Sequence, residues 1–373
     1  MSLSAEKRTV CELNMCTGCG LCADKCHSGA ITIVDSLDTY NAVIDAAKCN
    51  GCNLCVKNCP NNNPITRIAP ITWWQGWSND ENIRSASSSG GAASAIATAF
   101  VKNGGVYCSC RFMNGEFVFD ITEAEDDIKR FAGSKYVKSN PKGIYDRVLT
   151  FLKKERKVLF VGLPCQVAAM RRIAKDSQYL YTIDLICHGT PSPKLLDLYL
   201  SECGKDIKNA KDIKFREKNR FYVSIDTKAV EHASVRDRYT LPFLRSMDYT
   251  ENCYSCSYAT IERCADITLG DSWGSNLPEK QIEKGISLIL VMSDKGKELL
   301  DMSDMHLESV DEQKAINNNQ QLRNPARLTD ERNKLFATLS RTGNFNRSVF
   351  AIYKRICIKQ RIKLLLLKLG LKK

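Results

Sequence analysis

Short apolar runs alternate with amphipathic stretches along the chain from about residue 70 onward. The runs KVLFVG, YLYTIDLIC, ADITLG and ISLILVMS have the length and continuity of buried strands, and VYCSCRF and GEFVFDI are typical of further strands. Between them, SSSGGAASAIATAFVKNGG, IYDRVLTFLKKE and PCQVAAMRRIAK carry apolar residues at helical spacing. Helices between apolar strands predict an α/β domain with a mostly parallel sheet.

The first 69 residues follow a different pattern, because their apolar runs AITIVD and NAVIDAA predict only two short strands. The predicted organisation is therefore a small α+β domain (1–69), an α/β domain in two parts (70–155 and 156–335) and a helical tail (336–373).

Eighteen of the 373 residues are cysteine. The chain opens with a polar stretch that does not resemble a signal peptide, and its apolar runs are too short to span a membrane. We therefore expect a cytoplasmic protein whose cysteines bind metal rather than form disulfides.

The spacing Cys-x2-Cys-x2-Cys-x3-Cys occurs twice in the first 69 residues. In chains with two [4Fe-4S] clusters, three cysteines of each run bind one cluster and the fourth binds the other. Two zinc knuckles are the alternative, but each zinc needs four ligands of its own and not this doubled spacing. We predict a ferredoxin-like domain whose first cluster is held by Cys16, Cys19, Cys22 and Cys59, and whose second is held by Cys49, Cys52, Cys55 and Cys26.

Four later cysteines are predicted to meet at one edge of the sheet. Cys165 follows the strand KVLFVG and Cys187 ends YLYTIDLIC, so both lie at carboxyl ends of strands, where ligands bind in open α/β sheets. With Cys253 and Cys256, a Cys-x2-Cys loop, they predict a third [4Fe-4S] cluster. The alternative is a zinc site made of Cys253, Cys256, Cys264 and one outside ligand; otherwise Cys264 is a buried bystander.

The remaining cysteines suggest no site. Cys11 lies outside both motifs and is expected to be a spare thiol. Cys108 and Cys110 share one face of a strand and are expected to pack in the core rather than form a redox pair. Cys203 and Cys357 follow no pattern.

The net charge of +12 is concentrated at the C-terminus, because no acidic residue follows Glu331. The body is therefore balanced in charge, which argues against a nucleic-acid partner. Apolar and basic residues alternate at roughly helical spacing in VFAIYKRICIKQRIKLLLLKLGLKK. This helix is expected to lie on an anionic membrane surface, at the inner face of the membrane, or to pack on its own body. The basic residues are Arg332, Lys334, Arg341, Arg347, Lys354, Arg355, Lys359, Arg361, Lys363, Lys368, Lys372 and Lys373.

Seven motifs occur in the order SSSGG, GSKYVKS, GLPCQVAAMRR, DLICHGTPSP, KFREKN, CYSC and ADITLGDSWG. In this order the chain resembles the β subunits of coenzyme F420 hydrogenases and dehydrogenases over roughly residues 70–310. The resemblance implies a flavin, FAD rather than FMN, beside a [4Fe-4S] cluster, and a two-electron exchange with a reduced deazaflavin. The use of coenzyme F420 itself is the least direct of these implications.

The resemblance also implies roles for individual residues. SSSGG alone is equally an ordinary helix cap and GSKY alone a surface turn, but together they suit a flavin pyrophosphate at a helix start. Lys135 is expected to hold negative charge near the flavin. His188 and Asp184, near Cys187, are expected to support the cluster or relay a proton, with a structural histidine as the alternative. Asp271 is expected to face the same crevice. The implied flavin contacts are Ser89, Gly90, Gly91, Gly133, Ser134, Lys135, Tyr136 and Ser139.

The predicted function is that of an iron–sulfur flavoprotein oxidoreductase. A hydride-carrying coenzyme, of the reduced F420 or NAD(P)H kind, would give electrons through FAD to the clusters and on to a redox partner protein or ferredoxin. The alternative is an electron-transfer subunit without its own substrate that feeds a partner reductase, for instance in envelope polysaccharide metabolism. A non-catalytic nucleic-acid-binding module is disfavoured by the doubled cysteine motif and the two flavin motifs.

Overall fold

The structure is a computed structural model that describes residues 8–371. Its strands are β1 (Ile31–Asp35), β2 (Tyr40–Ile44), β3 (Thr72–Ser78), β4 (Val106–Met113), β5 (Glu116–Thr122), β6 (Val158–Val161), β7 (Leu180–Leu185), β8 (Ile213–Glu217), β9 (Arg220–Ile225), β10 (Lys228–Ala229), β11 (Ile267–Asp271), β12 (Ser287–Val291) and β13 (Met305–Ser309). Its α-helices are α1 (Leu21–Asp24), α2 (Leu54–Asn58), α3 (Glu81–Ala86), α4 (Ala92–Lys102), α5 (Ile144–Lys153), α6 (Pro164–Ala174), α7 (Pro193–Glu202), α8 (Thr240–Phe243), α9 (Glu279–Lys284), α10 (Asp294–Asp301), α11 (Glu312–Asn318), α12 (Asp330–Thr342), α13 (Phe345–Ile352) and α14 (Lys354–Lys368).

The central sheet has eight strands in the order β13-β3-β12-β11-β7-β6-β4-β5, so the predicted α/β fold is confirmed. Its four middle strands, β11, β7, β6 and β4, run parallel, and the outer strands join antiparallel. The run ISLILVMS thus forms an antiparallel strand, β12, beside β11. The helix between them, α9, has no buried residue and does not cover the sheet as a parallel crossover helix would.

The strand β3 was not predicted, and it joins the two predicted parts of the α/β domain. It lies between β12 and β13, with Gly76 opposite both Ser287 and Leu307. A Cβ atom on Gly76 would lie 2.1 Å from the His306 carbonyl oxygen, so only glycine allows the strands to come this close. Residues 70–155 and 156–335 therefore share one sheet.

Helices cover both faces of this sheet. Apolar residues of α4 and α10 pack on one face, around Ile96, Phe100 and Leu299. Residues of α5 and α6 pack on the other face, around Val148 and Met170. A second core lies beneath the small sheet β10-β9-β8, where α7, α12 and α13 pack together.

The N-terminal region pairs β1 with β2 antiparallel and docks on the body at several points. Ser192 donates a hydrogen bond to the Asp35 carboxylate at 2.6 Å. Arg332 and the amide of Glu251 both donate to the Asp38 carbonyl at 2.8 Å. These contacts fix the cysteine-rich region against the segment that precedes Cys253.

The basic tail is not one continuous extension. Its predicted start at residue 336 falls inside α12, and α12 and α13 bury Leu335, Leu339, Phe345 and Val349 in the second core. Only α14 extends beyond that core, and Lys372 and Lys373 lie outside the described residues. Within residues 8–371, no helix combines the length and the apolar character needed to cross a bilayer.

Candidate iron–sulfur centres and the adjoining crevice

Two cavities in the N-terminal region are lined by the two predicted cysteine sets. The first has about 340 Å³ of space between protein atoms, and the second about 380 Å³. Each short helix carries one cysteine toward the other cavity, because Cys26 follows α1 and Cys59 ends α2. The first cavity is lined by Cys16, Cys19, Cys22 and Cys59, and the second by Cys26, Cys49, Cys52 and Cys55.

The surroundings of these thiols offer contacts that suit cluster ligands. The Ala30 amide donates a hydrogen bond to Cys26 Sγ at 3.3 Å, a contact of the kind that stabilises cluster sulfurs. Gly18, in the loop between Cys16 and Cys19, has φ +71°, a left-handed backbone that glycine adopts without strain. Among residues 8–371, no group of three His, Cys, Asp or Glu side chains is placed to hold a single metal ion.

Cys11, predicted to be a spare thiol, is buried at the first cavity. Its thiol lies beside those of Cys16 and Cys59, and the interactions with Cys16 and then Cys59 raise the pKa of Cys11 far above the ordinary thiol value. The sequence could not have indicated this, because Cys11 is brought to the cavity by the pairing of its segment with β2, where Val10 donates to the Ala42 carbonyl.

The third predicted set is assembled by two loops that pair far from each other in sequence. The loop after Cys187 meets the segment before Cys253 through a bridge between Pro191 and Tyr249. The Thr250 amide donates to the Thr190 carbonyl at 3.1 Å in the same pairing. This brings the Cys-x2-Cys loop to the carboxyl end of β7.

Cys165 reaches the same place from the neighbouring strand. It follows β6, which pairs parallel with β7, and it lies at the first turn of α6. Burial raises the pKa of Cys165 well above the thiol value, and the Cys256 and Cys187 thiolates raise it further. Burial, Cys253 and Cys256 likewise raise the pKa of Cys187 to about 12. Cys165 and Cys187 thus follow the adjacent parallel strands β6 and β7, and Cys256 is a charged neighbour of both.

Gly189 makes this pairing possible. Its φ is +136°, and a Cβ atom there would lie 2.2 Å from a ring carbon of Tyr249. Around the site, the Thr190 and Thr250 hydroxyls and the Asn252 amide lie 3.7–3.9 Å from Cys253 Sγ. These groups offer the sulfur hydrogen bonds.

Cys264 packs in the same hydrophobic cluster as Cys165 and Cys256, and it is more deeply buried than either of them. Its sulfur donates to the Pro164 carbonyl at 3.8 Å. Burial raises its pKa to about 12, and Asp184, Arg171 and Arg263 are the charged side chains that act on it most. The Cys264 sulfur therefore has a backbone carbonyl as its partner, and its role as a bystander stays a prediction.

The third thiol set adjoins the first. Cys19, Cys165 and Cys256 contribute to one hydrophobic cluster, together with Tyr145 and Tyr258. The Tyr145 hydroxyl donates to the Cys19 carbonyl at 2.5 Å. The first cavity therefore lies next to the third thiol set. It is lined by α1 and by Cys59 after α2, whereas the second cavity is lined by α2 and by Cys26 after α1.

The two loops predicted to contact a flavin meet one another. The Ser134 amide donates to Ser88 Oγ at 2.9 Å. Ser89 donates to the Ile286 carbonyl at 2.8 Å, and a Cβ on Gly90 would lie 2.3 Å from the Gly76 carbonyl oxygen. Gly91, with φ +90°, begins α4 without a side-chain cap. The loop is thus pressed against the sheet with the amides at the start of α4 left uncapped.

Lys135 and Ser139 are engaged by the protein itself. The Lys135 ammonium donates to the carbonyls of Phe131, Ala132 and Gly133, which cap the end of a 3-10 helix. This does not fit the predicted role of Lys135 in holding negative charge near a flavin. Ser139 accepts a hydrogen bond from Gln166, one residue after Cys165, at 2.8 Å.

Arg216 and Lys218, between the flavin loops and the third thiol set, were not assigned from the sequence, whereas Asp271 was expected to face this crevice. Arg216 forms a two-pronged ion pair with Asp271 at 2.6 and 3.0 Å. Lys218 donates to the Ser87 and Ser89 carbonyls, and burial together with Arg84 and Arg216 lowers its pKa to about 8. The motif KFREKN, which holds Arg216 and Lys218, was the available signal.

His188 and Asp184 do not share an environment. Desolvation lowers the pKa of His188, with Asp271 opposing and Arg216 adding to the shift. The Asp184 carboxylate accepts from the Thr268 hydroxyl at 2.6 Å, and burial raises its pKa to about 6. Asp184 therefore lies on the Cys264 side of β7, and the contacts of His188 and Asp184 do not form the expected proton relay between them.

Tyr136, a predicted flavin contact, stacks on Phe243, with ring centroids 4.2 Å apart.

Family descriptions match most of the chain. "Coenzyme F420 hydrogenase/dehydrogenase, beta subunit N-term" matches residues 73–142, and the companion description for the C-terminal part of the same kind of subunit matches residues 155–314. The chain belongs to the coenzyme F420 hydrogenase/dehydrogenase beta-subunit family. A "4Fe-4S dicluster domain" matches residues 15–63, which include both cysteine motifs. This member of an oxidoreductase family is therefore an iron–sulfur electron-transfer subunit.

Among solved structures, a chain of the F420-reducing [NiFe] hydrogenase complex from Methanosarcina barkeri, from a xenon-derivatization study, is similar. It is 19% identical, with 68% of this chain and 91% of that chain covered and a TM-score of 0.47. No curated protein matches the chain.

Proposed function

We propose that this protein carries electrons between a two-electron hydride carrier and one-electron partners, along three [4Fe-4S] clusters with FAD in the adjoining crevice. The observation that carries the proposal is the contiguity of the three thiol sets, with Cys19 of the first set and Cys165 of the third in one buried cluster. The twelve predicted cysteines are the ligands in this proposal.

When bound, FAD supplies exchange of a hydride for single electrons, and [4Fe-4S] clusters supply one-electron transfer. In the proposed site, Ser89, Gly90 and Gly91 at the start of α4 bind the pyrophosphate through backbone amides. Gly133, Ser134, Tyr136 and Ser139 form the facing wall. Lys218 holds the carbonyls of the first loop in place.

Arg216 and His188 have separate tasks in the proposed site. Asp271 orients the Arg216 guanidinium, whose charge favours an anionic ring system beside it. His188 lies beside Cys187, and desolvation lowers the pKa of its imidazole, which favours the neutral form. The hydride carrier is of the reduced F420 or NAD(P)H kind, and the electron acceptor is a redox protein such as a ferredoxin.

Anaerobic purification followed by iron, flavin and turnover measurements tests this proposal. We expect about twelve irons and one FAD per chain, and reduction of a dye by reduced F420 or by NADH without any other protein. About eight irons would remove the third cluster from the proposal. A full set of cofactors without dye reduction would instead favour an electron-transfer subunit that has no substrate of its own.

We further propose that α14 attaches the protein to an anionic membrane surface. Ile358, Ile362, Leu365 and Leu369 follow one another at helical spacing and are 40%, 54%, 56% and 61% exposed. The opposite face of α14 packs on the body through Ile356 and Cys357. An exposed apolar stripe on the outer face of a packed helix is typical of a surface that is buried against a further apolar partner.

The charges beside this stripe favour anionic lipid over a second copy of the chain. Lys354, Arg355, Lys359 and Arg361 lie in the same helix, which contains no acidic residue. Two such helices would repel one another, whereas anionic headgroups attract each basic side chain by about 1 kcal/mol.

Vesicle sedimentation of the full chain tests the attachment. We expect binding to vesicles of 30% phosphatidylserine in phosphatidylcholine and weak binding to phosphatidylcholine alone, as two-component attachment requires. The double variant Ile362→Gln/Leu365→Gln should lose at least tenfold in affinity, while Ile71→Gln, on another exposed apolar residue, should not. Equal binding by all three proteins would refute the role of α14.

A further inference from the structure

Lys138 is a buried cation that contacts the loop of the first thiol set. Lys138 is only 5% exposed, and its ammonium donates a hydrogen bond to the Thr17 carbonyl at 3.0 Å. Its Cδ lies 2.9 Å from where a Cβ on Gly18 would be. Thr17 and Gly18 are the two residues between Cys16 and Cys19, so the lysine stem lies directly against this loop.

The backbone around Lys138 contacts the third thiol set as well. The Lys138 amide donates to the Pro191 carbonyl at 2.9 Å, in the loop that follows Cys187. The next residue, Ser139, accepts from Gln166, which follows Cys165 on α6. The segment that carries Lys138 is therefore fixed to both thiol sets at their junction.

Lys138 lies at the junction of the two thiol sets. Its ammonium contacts the loop between Cys16 and Cys19, and its backbone is hydrogen-bonded to the loop that follows Cys187. Its contacts in the described part of the chain are the Thr17 carbonyl and the ring of Tyr40, 5.0 Å away, rather than a carboxylate. The positive charge is thus not neutralised by a nearby anion.

We propose that Lys138 sets the reduction potentials of the first and third clusters and so controls the electron-transfer step between them. Reduction adds one negative charge to a cluster. A buried positive charge between two clusters stabilises the reduced form of each of them. With both clusters bound, transfer of one electron between them would oxidise one cluster and reduce the other by one electron, and no proton would be needed for balance. The inference rests on the proposed function, because it requires the third cluster.

The test is an anaerobic redox titration of the full, cluster-loaded chain followed by electron paramagnetic resonance. Lys138→Met removes the charge and keeps the stem. We expect it to make reduction of the first and third clusters about tenfold less favourable, which is about 59 mV toward negative potential for a one-electron couple. The second cluster should keep its potential. Lys138→Arg, which retains the charge, and Lys142→Met, on an exposed lysine nearby, should leave all three potentials unchanged.

Two outcomes separate the role of Lys138 from the proposed function. A wild-type chain with about eight irons would overturn the third cluster and the inference with it. A chain with about twelve irons whose potentials are the same in Lys138→Met would overturn the inference alone. If Lys138→Met loses iron, Lys138→Gln carries the same measurement, because it keeps a donor for the Thr17 carbonyl without the charge.

Discussion

The N-terminal thiol sets and the third set differ in how the chain encodes them. The first two sets lie within residues 16–59, on two similar motifs and two short helices. The third set takes its thiols from a helix start, a strand end and a distant loop, joined by the pairing of Thr190 with Thr250. A locally encoded site can form once its own loop folds, whereas the third depends on the whole sheet being in place. The two kinds of site should therefore respond differently to substitution.

Removing one thiol of the third set should give the largest difference between the two kinds of site. In Cys256→Ser we expect iron to fall from about twelve to about eight per chain, because the N-terminal sets do not depend on this loop. Electron transfer from the crevice to a dye that accepts electrons at the N-terminal region should be lost. Iron analysis and paramagnetic resonance measure both effects.

Cys264→Ser is the matched control, since Cys264 is the more buried neighbour of the same segment. It should retain the full iron content. Iron loss in Cys264→Ser with none in Cys187→Ser would show that the fourth ligand is Cys264.

Two glycine-to-alanine substitutions compare how much room each region has for an added methyl group. Gly189→Ala places a methyl group 2.2 Å from the Tyr249 ring at φ +136° and should destabilise the protein by about 3–5 kcal/mol, with loss of the third cluster. Gly51→Ala has φ +76° and no atom within 4 Å, so about 1 kcal/mol of backbone strain is expected and no loss of iron. Urea unfolding and iron analysis of both variants provide the measurement, and an equal cost for both would contradict a role for the Tyr249 contact.

Asp184→Asn tests the smallest effect, on the far side of β7 from the crevice. Burial raises the pKa of Asp184 to about 6 in the folded protein, against 3.8 for the free side chain. The folded state therefore holds an extra proton between about pH 4 and 6, and stability falls as the pH rises through this range, by roughly 2–3 kcal/mol in total. Asp184→Asn should lose this dependence and be the more stable protein at pH 7.

Unfolding midpoints between pH 4 and 7 measure the pH dependence of stability for both proteins. Iron content and dye reduction should be unchanged in Asp184→Asn, because its neighbours are Thr268 and the Cys264 side of the sheet. If Asp184→Asn lost dye reduction at full iron content, the result would instead support the proton relay that the sequence suggested.

Local patterns predicted much of the fold and the cysteine sets. The strands β4, β6, β7 and β11 and the helices α4, α5 and α6 were evident from continuous or helically spaced apolar residues. The doubled cysteine spacing led to the two sets that line the N-terminal cavities. The meeting of Cys165 with Cys187 followed from the general rule for carboxyl ends of parallel strands.

Features that depend on long-range contacts could not be predicted. Cys11 is placed at the first cavity by the pairing of Val10 with Ala42, and Lys138 is placed beside Thr17 by pairing with Pro191. Such long-range pairing leaves no local pattern in the sequence. Lys135 matched a motif, but its ammonium is taken up by carbonyls of the preceding turn. The burial of α12 and α13 was hidden by their basic residues, whose charges lie around an apolar face.

The position of β3 has a consequence for biosynthesis. Gly76 leaves the ribosome long before Ser287 and Leu307, the residues opposite it in the finished sheet. At about 5–20 residues per second, roughly 10–40 s pass before β12 exists. During this time β3 lacks its neighbouring strands, so its three tryptophans remain unpacked: Trp73, Trp74 and Trp77. The nascent chain should therefore depend on chaperones until the last strands of the sheet are synthesised.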